Sequence, residues 1–376
     1  MTTRSPEAPG TPGARAADEP VLSVRGLSVR FRMRTGGDIA AVTDVTFDVR
    51  PGECLALIGE SGCGKSVLAS ALLGLLPANA RTVGQALLAG PEGGLGDGLD
   101  LLAAAERTLA RTVRGRRIGL VPQSPAAHLT PVRTVRSQLH ETLRELTGVR
   151  KAGTGKVGTG KVGTGKVGTG MAGLREPGFR KPGLRKTRLR EAGEAAAARA
   201  AFPADHLDRH PHELSGGLAQ RAATALALVG DAPLLLADEP TTGLDRDLVD
   251  RTADELRRHA DSGHALLMIT HDLAAAERIA DRVAVMYAGR IVEIADATTF
   301  FGTRGPRHPY ARGLLDALPE RAFTPIPGMP PELGDLPPGC AFAARCPKAT
   351  GACGAVPSPV DGVACHHPEE DPTCSN

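Results

Sequence analysis

Two absences set the first limits on this chain. Nowhere do about 20 apolar residues run together, the length needed to span a bilayer. The first residues also lack the charged, apolar and small-residue succession of a secretory signal. Together they lead us to expect a protein that stays inside the cell and reaches a membrane only through a partner. Aromatic residues are scarce, with eight Phe and two Tyr, so a ring that stacks on a ligand must come from a short list. The seven cysteines are uneven: Cys54 and Cys63 lie early, then Cys340, Cys346, Cys353, Cys365 and Cys374 near the end. In a reducing compartment such a terminal cluster suggests metal before disulfides.

A net charge of +3 conceals an asymmetry. Twelve Lys/Arg against one acid, Glu176, lie between Arg150 and Arg190, so the rest of the chain is net acidic. A basic insert in an acidic body is not the footprint of a nucleic-acid binder, and no such partner is expected.

Along the 376 residues, positions 1–19 are rich in Pro, Gly and Ala without periodicity and read as a disordered leader. Alternating apolar residues predict strands near Val21–Phe31 and Ala41–Val49. Cys54–Ile58 is a short apolar strand, followed by a helix from Lys65 to about Leu76. Ile118–Val121 reads as a buried strand and Val132–Leu146 as a helix. Gly153–Gly170 then repeats Gly-Thr-Gly-Lys-Val, and Met171–Arg190 is Gly-, Pro- and base-rich. No apolar face can be buried there, so about 150–190 reads as a mobile insertion. A solvated loop is the expectation, with contact to anionic lipid headgroups as the alternative. Helical composition resumes at Glu191–Ala201. Further strands are predicted at Leu234–Ala237, Ala265–Thr270, Val283–Tyr287 and Ile291–Ile294, with helices at Arg246–His259 and Leu273–Ile279. Strands alternating with helices imply an α/β fold with a mainly parallel sheet covered on both faces. From Arg304 the chain turns Pro- and Cys-rich and reads as a separate appendage.

The chemistry begins at Gly59-Glu60-Ser61-Gly62-Cys63-Gly64-Lys65-Ser66. The strand before it and the helix after it are the setting a phosphate-binding loop requires. Its glycines let backbone N–H groups converge on phosphate oxygens, and the helix adds its positive end. Lys65 would reach the β- and γ-phosphates and Ser66 would hold Mg²⁺. The repeat contains a decoy, Gly155 to Lys161, but Val162 stands where a hydroxyl belongs and no strand precedes it. Leu234–Ala237 carries Asp238 to the end of a buried strand, where an acid supports magnesium. Glu239 beside it can deprotonate the attacking water.

Leu214-Ser215-Gly216-Gly217 completes a resemblance to the ATP-binding subunits of ABC transporters, P-loop ATPases with a helical subdomain. The resemblance covers about residues 20–303. It implies that Ser215, Gly216 and Gly217 cap the γ-phosphate held by an opposing subunit, so that two copies or two related chains close on ATP. It makes Gln123 a ligand to Mg²⁺ and water, His271 the switch histidine at the γ-phosphate, and Asp245 part of Thr242-Gly243-Leu244-Asp245 at the subunit junction. Gly243 departs from many relatives. Phe31 stands where relatives stack an aromatic on adenine, with core packing as its rival role.

His308-Pro309-Tyr310, Pro338-Gly339-Cys340-Ala341-Phe342 and Arg345-Cys346-Pro347 resemble the C-terminal extension of oligopeptide and dipeptide importer ATPases, here 304–376. That implies ATP and Mg²⁺ as ligands and a place on the cytoplasmic face of the membrane. It also implies two permease subunits, a second ATPase (the same chain or another) and an extracytoplasmic binding protein as partners. A nickel or other small-solute importer is the alternative within the family. A non-transport ABC ATPase is the alternative outside it, although this chain has neither two nucleotide domains nor a long coiled coil. Some relatives hold a [4Fe–4S] cluster in this extension. Cys340, Cys346, Cys353 and Cys365 suit either that or zinc, as a structural staple.

Overall fold

The computed structural model describes residues 19–34, 36–90, 93–147 and 182–369. The leader, the tandem repeat and Cys374 lie outside the described residues. Among the described residues ten strands form two sheets. The larger contains β3 (Cys54–Ile58), β6 (Ile118–Val121), β7 (Leu234–Asp238), β8 (Ala265–Thr270), β9 (Arg282–Tyr287) and β10 (Arg290–Asp296), in the order β10-β9-β3-β8-β7-β6. All its pairings are parallel except that of β10 with β9. Every residue of β3, β7 and β8 is buried. Their unbroken apolar runs are what a parallel strand covered on both faces demands.

The strands predicted near Val21 and Ala41 do not join that sheet. β1 (Leu22–Arg32) and β2 (Asp38–Val49) form a separate antiparallel sheet with β4 (Ala80–Leu88) and β5 (Leu99–Asp100). β4 escaped notice because five consecutive residues are exposed, leaving no alternation to read. The helix after the phosphate loop stops at Leu72 rather than Leu76. The helix expected from Glu191 begins instead at Pro182, so 182–190, read as irregular, is helical.

Two cores cover the large sheet. On one face Leu55, Leu57, Leu68, Leu72, Leu236 and Ile269 pack with Leu22, Val42 and Phe47 of the antiparallel sheet. On the other, Ala56, Ile58, Leu235, Met268 and Val285 pack against Leu256 and Ile279 of the helices Arg246–Asp261 and Leu273–Ile279. A third, smaller cluster binds the helices Val135–Leu146, Pro182–Arg199 and Gly216–Leu228 through Leu139, Ala197 and Ala222. The residues beyond Arg304 do not stand apart as expected. Tyr310, Ala311, Leu315 and Phe342 are buried in the second core beside Tyr287. Burying two rings and a leucine contributes roughly 2 kcal/mol apiece, which explains why this segment docks rather than dangles.

Candidate active site

Parallel register brings four loops to one edge of the large sheet. Ile58 of β3 pairs with Thr270 of β8, and Asp238 of β7 with Ile269. Val121 of β6 pairs with Ala237. The residues that follow these strands, Gly59, His271, Glu239 and Gln123, therefore emerge side by side. Ligands bind at such carboxyl ends in open α/β sheets.

The loop after β3 needs its glycines. Gly64 has φ +108, and a Cβ there would lie 2.3 Å from the Ala41 carbonyl oxygen. A Cβ at Gly59 would lie 2.2 Å from the carbonyl oxygen of Met286. At Gly62 nothing lies within 4 Å, and only its φ of +81 asks for glycine. Lys65 is buried, and its ammonium donates to the carbonyls of Gly59 (2.7 Å) and Glu60 (3.0 Å). Cys63 is buried beside it, Sγ 3.7 Å from Nζ, and burial pushes its thiol up. Ser61 lies exposed on the loop's outer side.

Ser66 Oγ donates to Asp238 Oδ1 at 3.3 Å. Burial raises the proton affinity of Asp238, the Ser66 hydrogen bond opposes this, and neighbouring Glu239 adds to the rise. A hydroxyl and a desolvated carboxylate side by side are hard oxygen donors that suit Mg²⁺. Glu239 is buried and sits in the left-handed region at φ 52. Its Oε2 accepts from His271, Nδ1 at 2.7 Å and the backbone N–H at 3.4 Å. The predicted base and switch are thus in direct contact.

Other predicted residues sit elsewhere. Gln123 is exposed in the loop after β6, beside these groups but without a side-chain hydrogen bond among those described. Ser215 caps the helix Gly216–Leu228, its side chain accepting from Leu218 N–H. At that helix end Ser215 and Gly216 are exposed and Gly217 is half-buried, and the first amides have no intrahelical partner. Asp245 caps Arg246–Asp261 by accepting from Leu248 N–H at 3.0 Å. Phe31 on β1 is half-buried and leans on the first core, and the pocket beside it is lined by Arg32, Met33, Arg34 and Arg81 instead.

The cysteines at the end are neighbours, close enough that Cys340, Cys346 and Cys353 raise the Cys365 thiol after burial does. Among the described residues no three or more His, Cys, Asp or Glu side chains are grouped to hold a metal. Cys340 and Cys346 serve instead as small apolar groups against the second core. The described residues give no support to the expected [4Fe–4S] or zinc staple.

Three contacts went unforeseen. Arg345 forms a two-pronged ion pair with Glu60, at 2.8 and 3.0 Å. Tyr310 Oη accepts from Glu60 N–H at 2.9 Å. Buried Glu293 accepts from the N–H groups of Arg307 and His308, both at 2.8 Å. Tyr310 and Arg345 were visible as parts of a motif, but nothing in the sequence tied them to a loop 250 and 285 residues away.

A family described as ABC transporter matches residues 42–242, more than half of the chain, from within β2 to the Glu239 loop. The chain belongs to the ABC transporter family. As an ABC ATPase it carries a second match at residues 292–353, described as the oligopeptide/dipeptide transporter C-terminal region. Over 93% of its length this ABC protein is 38% identical to a peptide import ATP-binding protein of Brucella melitensis, of which it covers 96%. It is 36% identical to the dipeptide transport ATP-binding protein of Bacillus subtilis over 90% of each chain. A dimeric ATP-binding cassette solved with ADP and Pi shares its fold, with TM-score 0.56 at 20% identity over 73% of this chain and 98% of that one. No helix among the described residues is long and apolar enough to cross a membrane.

Proposed function

We propose that this chain is the ATP-hydrolysing subunit that energises an ABC importer for oligopeptides or dipeptides. The supporting observation is the convergence of Ser66, Asp238, Glu239 and His271 on one sheet edge, in a chain whose residues 292–353 match the peptide-transporter C-terminal region.

ATP would lie against the amides of Gly59–Ser66, with Lys65 turning from its loop carbonyls to the β- and γ-phosphates. Mg²⁺ would be held by Ser66, Asp238 and Gln123, and would neutralise charge on the phosphate oxygens. Glu239 accepts a proton from water as that oxygen bonds to the γ-phosphorus and the bond to the bridging oxygen breaks, leaving ADP and phosphate. His271 keeps the Glu239 carboxylate aimed and offers its exposed ring to the γ-phosphate. Phe31 would support the adenine ring from the edge of the first core.

Ser215 and Gly216 are exposed at a helix N-terminus, and with Gly217 they suit a phosphate held by a second subunit. That subunit is a second copy or a related ATPase, with Asp245 and its loop near the junction. The pair works at the cytoplasmic face of the membrane on two permease subunits, supplied by an extracytoplasmic binding protein. The test is affinity purification of the chain from its native membrane. Recovery of two permeases, an ATPase partner and a peptide-binding protein supports the reading. A nickel-binding protein in its place redirects the cargo, and ribosomes or DNA overturn transport while leaving the ATPase.

A further inference from the structure

We propose that the C-terminal region is a clamp on the phosphate loop, in which Arg345 and Tyr310 are positioning residues that hold the loop in its nucleotide-binding conformation through Glu60. This rests on the assignment of Gly59–Ser66 as the ATP-binding loop.

The argument starts from Glu60, whose polar groups are all committed. Its N–H donates to the Tyr310 hydroxyl at 2.9 Å. Its carbonyl accepts from Lys65 Nζ at 3.0 Å. Its carboxylate takes both prongs of the Arg345 guanidinium. Two of these three holds come from beyond residue 304. A loop built on glycines has many backbone conformations to lose on binding, and holding the Glu60 amide and carboxylate from outside the loop removes part of that loss in advance.

The clamp is itself rigid. The Arg345 side chain is only 5% exposed. Its Nε donates to the Pro327 carbonyl (2.9 Å) and one terminal nitrogen also reaches Tyr287 Oη at 3.3 Å. The guanidinium lies 5.8 Å from the ring centres of both Tyr287 and Phe342. Tyr310 is fully buried, its ring 4.5 Å from Tyr287 and 5.4 Å from Phe342. Tyr287 ends β9, the strand adjacent to β3, so the rings rest on the same sheet that launches the loop. A guanidinium held at all three nitrogens defines one position for the carboxylate. Because Glu60 also receives the Lys65 ammonium on its carbonyl, its placement carries to the lysine that meets the phosphates.

Three full-length variants test this: Tyr310→Phe, which removes one hydroxyl, Glu60→Gln, which weakens the ion pair, and Arg345→Met, which removes it. Equilibrium binding of a fluorescent ATP analogue with Mg²⁺ is read beside the melting temperature, and KM beside kcat. The clamp predicts that each variant binds nucleotide roughly threefold to tenfold more weakly and that KM rises while kcat is nearly held. It also predicts that the Glu60→Gln, Arg345→Met pair loses no more than the worse single change. Wild-type affinity in Tyr310→Phe and Glu60→Gln, whatever their melting temperatures, overturns the clamp and leaves a purely structural contact. Should Arg345→Met not fold, those two decide the matter alone. No binding by the wild-type chain would fail the ATP-loop assignment itself, a different outcome from equal binding by all variants.

Discussion

The Glu239 carboxylate and the His271 imidazole meet at 2.7 Å, Oε2 to Nδ1, from loops that follow neighbouring strands. The carboxylate side chain is 8% exposed and the imidazole 64%. The acid is therefore fixed in the protein and the histidine reaches outward from it. Glu239→Gln keeps the shape and the hydrogen bond but cannot accept a proton. It should bind ATP and form closed dimers while turnover falls by roughly 10²–10⁴-fold. Steady-state phosphate release measures this, and a wild-type rate contradicts Glu239 as base.

His271→Ala should leave nucleotide affinity near that of the wild type, because Lys65 and the loop amides are untouched. Turnover should drop by roughly 10–100-fold, since the Glu239 carboxylate loses its partner and the γ-phosphate a donor. The comparison of Kd with kcat reads the split. Weaker binding with kcat unchanged would place His271 in uniform binding instead.

Two loop glycines should rank differently. Gly64→Ala puts a Cβ into the Ala41 carbonyl at φ +108 and should cost on the order of 2–3 kcal/mol of stability. Gly62→Ala has open space and carries only its backbone strain, about 1 kcal/mol. Thermal unfolding of the two proteins gives the order, and the reverse order contradicts the loop geometry.

Stability should fall on mild acidification. His308 is 1% exposed, and burial pushes its imidazole down to about 4. Its unprotonated Nδ1 accepts from Tyr310 N–H at 3.0 Å. The unfolded chain titrates this group near 6.5, so between pH 6.5 and 4 it binds the extra proton. Stability is lost as pH drops through that window, by on the order of 3 kcal/mol. His259, also pushed down to about 4 by burial, acts in the same sense. Glu293 is pushed up by burial, so its proton favours the folded state and opposes the loss just above the usual carboxylate range. His308→Asn keeps a cap acceptor without the titration and should flatten the slope of stability against pH. An unchanged slope contradicts a buried neutral His308.

The site's parts were legible because each is local. A glycine loop, an acid pair after an apolar strand and a histidine after another are short patterns, and β3, β7 and β8 are apolar throughout. Parallel register then did the assembly, bringing Ser66 to Asp238 and His271 to Glu239. What escaped was either solvent-washed or distant. β4 has an exposed stretch with no period to detect. Glu60 meets Arg345 across 285 residues, a pairing no local pattern encodes. The terminal cysteines read as ligands on spacing, which does not distinguish a thiol that packs from one that coordinates.

Uptake of a labelled oligopeptide tests the central claim most directly, in cells carrying the wild-type chain, the Glu239→Gln chain or a deletion. The account predicts ATP-dependent uptake with the wild type and none with either of the others. Uptake by the Glu239→Gln cells at the wild-type rate would contradict it.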